Sequence, residues 1–248
     1  MIDLHCHILP GIDDGSKNTE MSLAMLREQQ KQGMQAITFT PHFHPERIDP
    51  QTFLRARKHS YEKLMSVPEV GELGIKFKLG AEIFFSPKLN EIDLDPFCFT
   101  DSNYVLIEFP TNERPYGLTH TIINIMNRGY NPILAHVERY PYFTDDPTKL
   151  YDLVEKGCVI QINAGAVLDG NKIAMKYIKW GMAHILSTDC HNIDKRKPNM
   201  KEAYKVIRKK FGEDQIDWFE RNARNIFKGK YIDLTTPQMP KKILGMWF

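Results

Sequence analysis

The sequence predicts an α/β fold built on a parallel sheet. Three observations predict it: short apolar runs alternate with helical stretches along the chain, several of those runs are almost continuously apolar, and the stretches between them carry helix start and stop signals. Candidate strands are 2–6, 35–40, 76–81, 103–109, 132–136, 157–163 and 183–188. YVLIEF and NPILAH show no polar alternation, which suits strands covered on both faces. Strands that alternate with helices form parallel sheets, and seven of them around one sheet would close into a barrel.

The helices follow in order. Residues 18–33 open at Asn18 as a cap, carry Met21, Leu23, Met25 and Leu26, and stop at Gly33. Residues 51–65, 116–129, 147–156, 171–181, 200–211 and 214–227 also read as helical. No linker, low-complexity tract or repeat divides the chain, so residues 1–248 are expected to form a single domain. The Pro-interrupted tail 235–248 is expected to pack across its surface through Trp247 and Phe248.

Bulk properties narrow the function. With 248 residues, 42% hydrophobic and 26% charged, the chain can bury a sizeable core. A net charge of +2 gives no global field for nucleic acid or anionic membrane, so neither is an expected partner. No run approaches the roughly 18 apolar residues of a membrane span. MIDLHCHILPGIDDG has no basic-then-apolar leader, so a cytoplasmic location is expected. There Cys6, Cys98, Cys158 and Cys190 would be reduced thiols.

The strand ends carry the chemistry. His5 and His7 close the first strand at i and i+2, which puts both imidazoles on one face. Asp13 and Asp14 follow in a loop that Gly15 lets turn. The second strand ends in His42 and His44, the third in Glu82, the fourth in Glu108, the fifth in His136 with Arg139 beyond it, and the last in Asp189 and His191. In a parallel barrel these ends share the face where active sites are built. One His or Glu at a strand end is ordinarily structural or solvated, but so many at one edge are not accounted for that way. Imidazole plus carboxylate without paired cysteines suits Zn, Mn or Fe(II), and the donors exceed the needs of one ion. Close metals favour phosphoester hydrolysis. Arg139 and Arg196 could clamp phosphate oxygens.

These residues resemble the polymerase-and-histidinol-phosphatase (PHP) superfamily, whose hallmarks here are HCH at 5–7 and DCH at 189–191. The likeness is nearest to its branch of bacterial manganese-dependent protein-tyrosine phosphatases of capsular and exopolysaccharide synthesis. MIDLHCHILPGIDDG, TPHFHP, GAEIFF, YVLIEFP, ILAHVERY, QINAGAVL and STDCHN carry it over residues 1 to about 200. The resemblance implies a distorted (β/α)7 TIM-like barrel and three divalent ions, with Mn favoured over Fe or Zn. It implies His5, His7, Asp14, His42, Glu82, Glu108, His136, Asp189 and His191 as ligands, and Arg139 and Arg196 as phosphate contacts. His42 is expected to serve catalysis as well. The implied substrate is a phosphotyrosine in the C-terminal tail of a bacterial tyrosine autokinase, attacked in line by a metal-bridging hydroxide. The choice of Asp14 over Asp13 rests on alignment alone.

Three other readings compete. Cys190 and Arg196 satisfy the C-x5-R spacing of cysteine phosphatases, but HNIDK between them has no Gly for an amide cradle. A histidinol-phosphate or other small-molecule phosphatase would share the same metal site. A non-catalytic metal-binding module would not keep every ligand position filled.

Overall fold

The predicted strands appear in order, and two of them resume after a break beyond their predicted ends, as β3 and β5: β1 (Ile2–Cys6), β2 (Ala36–Phe39), β3 (His42–Phe43), β4 (Lys76–Leu79), β5 (Glu82–Phe84), β6 (Tyr104–Glu108), β7 (Asn131–Leu134), β8 (Val159–Asn163) and β9 (Ile185–Ser187). This computed structural model describes residues 1–234 and 236–248; residue 235, the first of the predicted tail, lies outside the described residues. All nine pieces pair in parallel, in the orders β1-β2-β4 and β3-β5-β6-β7-β8-β9.

Interrupted strands join the two sheets. β2 and β3 are one strand broken at Thr40-Pro41, and β4 and β5 are one strand broken at Gly80-Ala81. The Gly80 N–H donates to the Phe39 carbonyl at 2.8 Å and the Glu82 N–H to the Pro41 carbonyl at 3.1 Å, which carries the pairing across both breaks. Pro41 has no N–H to offer a ladder. Gly80 has no Cβ because one would meet the Phe99 ring at 2.5 Å. At the opposite edge the His7 N–H donates to the Cys190 carbonyl at 2.9 Å and the Asp189 N–H to the His5 carbonyl at 2.8 Å. The first and last strands therefore meet, and the seven predicted strands form a distorted TIM-like barrel.

The helices are α1 (Thr19–Gln32), α2 (Pro50–Met65), α3 (Pro68–Gly71), α4 (Leu118–Asn127), α5 (Pro141–Thr144), α6 (Thr148–Glu155), α7 (Ala164–Leu168), α8 (Lys172–Lys179), α9 (Met200–Phe211) and α10 (Glu213–Phe227). α1 starts where the Asn18 side chain accepts the Met21 N–H and ends at Gly33 with φ 89°, as its caps predict. The single turns α3, α5 and α7 were not predicted; each is too short for a periodic apolar face to show.

Ile2, Leu4, Ala36, Tyr104, Leu106, Ile133, Val159 and Ile185 fill the barrel interior, where Ala223 and Ile226 of α10 join them. A larger apolar layer lies between the strands and the outer helices. A bulge in β1 sets which side chains enter. Asp3 pairs with Ile37 but Cys6 pairs with Phe39, so two residues of β1 oppose one of β2. Asp3 consequently turns outward to Gln29 of α1, at 2.7 Å, while His5 points into the barrel mouth.

Beyond residue 235 the chain forms an antiparallel hairpin, β10 (Lys242–Ile243) with β11 (Met246–Trp247). The Trp247 indole N–H donates to the Asp145 carbonyl at 3.0 Å, and Lys176 donates to the Trp247 carbonyl. No helix among the described residues is long and apolar enough to cross a membrane.

Candidate metal centre

The strand ends bring the predicted residues together. His5, His7, Glu82 and Asp189 form one group with metal-ligand spacing. His7, Asp14, His42 and His191 form a second, Glu82, Glu108 and His136 a third, and His42, His44 and Glu108 a fourth. Together they contain all nine predicted ligands, plus His44. His136 (φ 34°) and Asp189 (φ 51°) hold left-handed backbone conformations, which non-glycine residues seldom adopt and which concentrate at functional sites.

The imidazoles are oriented by hydrogen bonds on their far sides. His5 Nδ1 donates to Gln161 Oε1 at 3.1 Å, His7 Nδ1 to Asp13 Oδ2 at 2.8 Å, and His191 Nδ1 to the Asp189 carbonyl at 2.9 Å. In the neutral tautomers these bonds fix, each Nε2 carries a lone pair. The Nε2 atoms of His5 and His7 then face each other at 3.2 Å. Glu82 Oε2 lies 3.1 Å and Asp189 Oδ1 3.4 Å from both. Two lone pairs and two carboxylate oxygens at such range repel unless a cation lies among them.

Unpartnered atoms point the same way. Glu82 Oε2, Asp189 Oδ1, His42 Nδ1 and His191 Nε2 are buried with no hydrogen-bond partner among the described residues. A buried polar atom without a partner is costly, so four that converge fit a site made for divalent ions. Protons supply the missing charge in the metal-free protein. Burial opposes ionisation of Glu82, yet His5, His136 and His7 hold its carboxyl well below the usual range. Burial likewise opposes protonation of His7 and His42, but Asp13, Asp189 and Glu82 raise His7, and Asp14 and Glu108 lift His42 to about 10. His191 goes the other way: burial, then the neighbouring His7, lowers it to about 3.

The two loop aspartates take different places. Asp13 Oδ2 accepts from His7 Nδ1 and from the His42 N–H at 3.1 Å, and its Oδ1 accepts from the Gly15 N–H at 2.9 Å. It braces the ring behind the site. Asp14 Oδ1 instead reaches into the site, 3.4 Å from both His42 Nε2 and His191 Nε2. Gly15 permits this loop, because a Cβ there would collide with the His7 carbonyl.

Arg139 and Arg196 both reach Asp189 Oδ2, at 2.9 Å and 2.8 Å, and the Asn163 amide donates to the same oxygen at 3.0 Å. Asp189 Oδ1 is left facing the imidazoles. The arginines remain 42% and 38% exposed, so much of each guanidinium is open to a ligand. They line a cavity of about 290 Å³ with Lys195, Lys197 and Asn163. Cys190 is fully buried, with its sulfur 3.7 Å from Gln29, and does not line that cavity. The C-x5-R spacing therefore brings no thiol to the site.

Sequence reasoning missed the supporting residues. Gln161 Oε1 also accepts the His136 N–H at 2.8 Å, and its amide donates to Asn163 at 2.7 Å. The Tyr140 hydroxyl lies 3.0 Å from His136 Nδ1 and accepts the Phe109 N–H. Gln161 and Asn163 stand at i and i+2 at a strand end, the same signal that marks His5 and His7. Tyr140 had no such signal.

The model of the capsular polysaccharide synthesis CpsB/CapC family matches residues 1–228 of this chain. The chain belongs to the CpsB/CapC family. It is 32% identical over 254 residues to tyrosine-protein phosphatase CpsB of Streptococcus pneumoniae, covering 94% of this chain and 100% of that protein. It is 28% identical over 251 residues to tyrosine-protein phosphatase YwqE of Bacillus subtilis, covering 98% and 97%. A crystal structure from work on YwqE and CpsB, described as unique metal-dependent tyrosine phosphatases, superposes with a TM-score of 0.87 at 28% identity, across 98% of this chain and 100% of that one. These relatives of the CpsB/CapC chain are thus metal-dependent tyrosine phosphatases.

Proposed function

We propose that this chain is a metal-dependent phosphoester hydrolase that dephosphorylates phosphotyrosine in protein, acting in capsular or exopolysaccharide synthesis. The observation that carries the reading is the pair of His5 and His7 Nε2 atoms, with their Nδ1 protons engaged elsewhere, facing the unpartnered oxygens of Glu82 and Asp189. His5, His7, Asp14, His42, Glu82, Glu108, His136, Asp189 and His191 would hold the ions, three of them on this reading and manganese first among the candidates. Residues 1–248 would work as one domain, in the cytoplasm. The substrate would be the phosphorylated tail of a bacterial tyrosine kinase.

When bound, divalent ions lower the pKa of water and neutralise phosphoryl charge. The chain supplies the rest. Arg139 and Arg196, anchored on Asp189, turn their remaining N–H donors toward the equatorial phosphoryl oxygens, where charge grows during transfer. Asn163 holds Asp189 in place as they do so. A phenolate is a fairly good leaving group and asks for little acid assistance. His42, the most open of the five predicted imidazoles at 22% side-chain exposure, is placed to move a proton at the mouth.

The test is elemental analysis of the purified protein beside turnover of a phosphotyrosine peptide, with and without chelator. Bound manganese, iron or zinc and chelator-sensitive release of phosphate are expected. Full turnover after exhaustive metal removal would end this reading. Faster turnover of histidinol phosphate than of the peptide would move the substrate to a small molecule.

A further inference from the structure

Two cavities of different character adjoin the predicted ligands. One, lined by Asp189, is highly charged, with Arg139, Arg196, Lys195 and Lys197 beside Glu138 and Asp169. The other is a wider cleft of about 590 Å³, within the roughly 300–1,000 Å³ typical of small-ligand sites. Its walls are Ile12, Ile48, Phe53, Ala56, Phe84 and His44, and its floor is shared with the site through Asp14, His42 and Glu108. His44 stacks on Phe84 with ring centroids 4.7 Å apart, so an aromatic wall stands ready beside the centre.

We propose that this apolar cleft receives the phenyl ring of the phosphotyrosine whose phosphoryl group lies at the metal centre. The inference rests on the phosphatase reading and adds to it the position of the leaving group. A phosphoryl group held by Arg139 and Arg196 has charged walls beside it, Lys195 and Lys197 with Glu138 and Asp169, where an apolar ring gains little and displaces the water that solvates those charges. The cleft begins at Asp14, His42 and Glu108 of the same cluster, and there a ring finds aliphatic and aromatic surface. The cleft is also open to solvent through the exposed Ala56 and Arg47, so a ring attached to a polypeptide can enter it. An alkyl phosphate has no group to fill it. The same slot therefore selects phosphotyrosine over phosphoserine and over small aliphatic phosphates.

The probes are phenylphosphonate and methylphosphonate, whose binding to the manganese-loaded protein is measured by calorimetry. Ala56→Trp fills the cleft from an exposed position of α2, and Ile48→Ala removes part of its wall. Ala56→Trp is expected to weaken phenylphosphonate about tenfold relative to methylphosphonate, a discrimination typical of small steric changes in apolar pockets. Ile48→Ala is expected to shift the same ratio in the same direction by a smaller factor. Parallel shifts of both ligands, or no shift of either, would overturn the proposal. Phenyl phosphate turnover is followed in the same samples. If the unaltered protein releases no phosphate while the phosphonate ratio still falls in the variants, the hydrolase reading fails and the cleft assignment stands.

Discussion

Two adjacent aspartates in one loop, Asp13 and Asp14, should respond differently to the same substitution. Asp13 accepts three N–H groups: His7 Nδ1 and the His42 amide on Oδ2, and the Gly15 amide on Oδ1. An asparagine can keep its oxygen toward His7 and His42, but its NH2 group must then face the Gly15 N–H. The bond to His7 also changes from charge-assisted to neutral, which roughly halves its strength. Loss of a bracing partner of this kind typically costs about 10–100-fold in metal affinity. At Asp14 the backbone carbonyl accepts the Lys17 ammonium at 3.1 Å, and the carboxylate lies 3.9 Å from Arg196. That carboxylate, 63% exposed, points at His42 and His191. Asp14→Asn should therefore leave the fold intact and exchange an anionic donor aimed into the site for a weakly donating neutral amide oxygen. The assay is metal content after gel filtration, together with aryl phosphate turnover across a manganese titration. Asp13→Asn should bind as many ions as the unaltered protein with a midpoint about 10–100-fold higher, and excess metal should restore much of its turnover. Asp14→Asn should hold one ion fewer, and excess metal should not restore it. If the two variants exchange these behaviours, the orientation of the loop is wrong.

Three further outcomes follow from buried groups. His184 is fully buried, accepts the Ile160 N–H at 2.9 Å, and is pushed by burial from 6.5 down to about 3. The native state excludes a proton that the unfolded state binds below pH 6.5, so stability is full above that value and falls on acidification at about 1.4 kcal/mol per pH unit until pH 3 is approached. Urea unfolding of metal-free protein at pH 6 and pH 5 should show a shallower fall in His184→Gln, and parallel slopes would count against the assignment. Gly80→Ala forces a Cβ against the buried Phe99 ring and should cost about 1–3 kcal/mol in the same denaturation assay, part of it recovered by adding Phe99→Leu. Cys190→Ser should keep aryl phosphate turnover within the same order of magnitude and leave it insensitive to alkylating agents; abolished turnover in a folded variant would revive a thiol mechanism.

Much of the fold was legible because its signals are local. Continuous apolar runs mark β6 and β7, and Asn18 and Gly33 bound α1. The continuations β3 and β5 beyond the breaks at Thr40-Pro41 and Gly80-Ala81 were not legible, since the apolar runs 35–40 and 76–81 stop there and the constraint at Gly80 is a ring nineteen residues away at Phe99. The metal-ligating candidates were legible because a ligand must be a His or carboxylate and must sit at a strand end. Their supporting partners were not, because Gln161, Asn163 and Tyr140 act through single hydrogen bonds that many residue types could make. Asp13 and Asp14 show the limit: identical side chains, adjacent in sequence, are separated only by the turn that Gly15 allows.

The closure of the barrel and the assembly of the site are one event in this chain. The backbone bonds that join the first strand to the last run from His7 to Cys190 and from Asp189 to His5, inside the two motifs that supply the predicted ligands. Ions held by His5 and His7 together with Asp189 and His191 would cross-link segments more than 180 residues apart, at the seam where the ladder is thinnest. The pairing of β6 with β7 has no such dependence, for it rests on four consecutive partners from Tyr104↔Asn131 to Ile107↔Leu134. Metal present at about 100 times its dissociation constant adds about 2.7 kcal/mol to any opening that releases it. Chelation should therefore speed hydrogen exchange at the His7 and Asp189 amides by about 100-fold. The amides of β7 should change far less, provided their exchange does not require global unfolding. Equal acceleration at both places would mean that the ions stabilise the barrel as a whole and that the seam is not held by them.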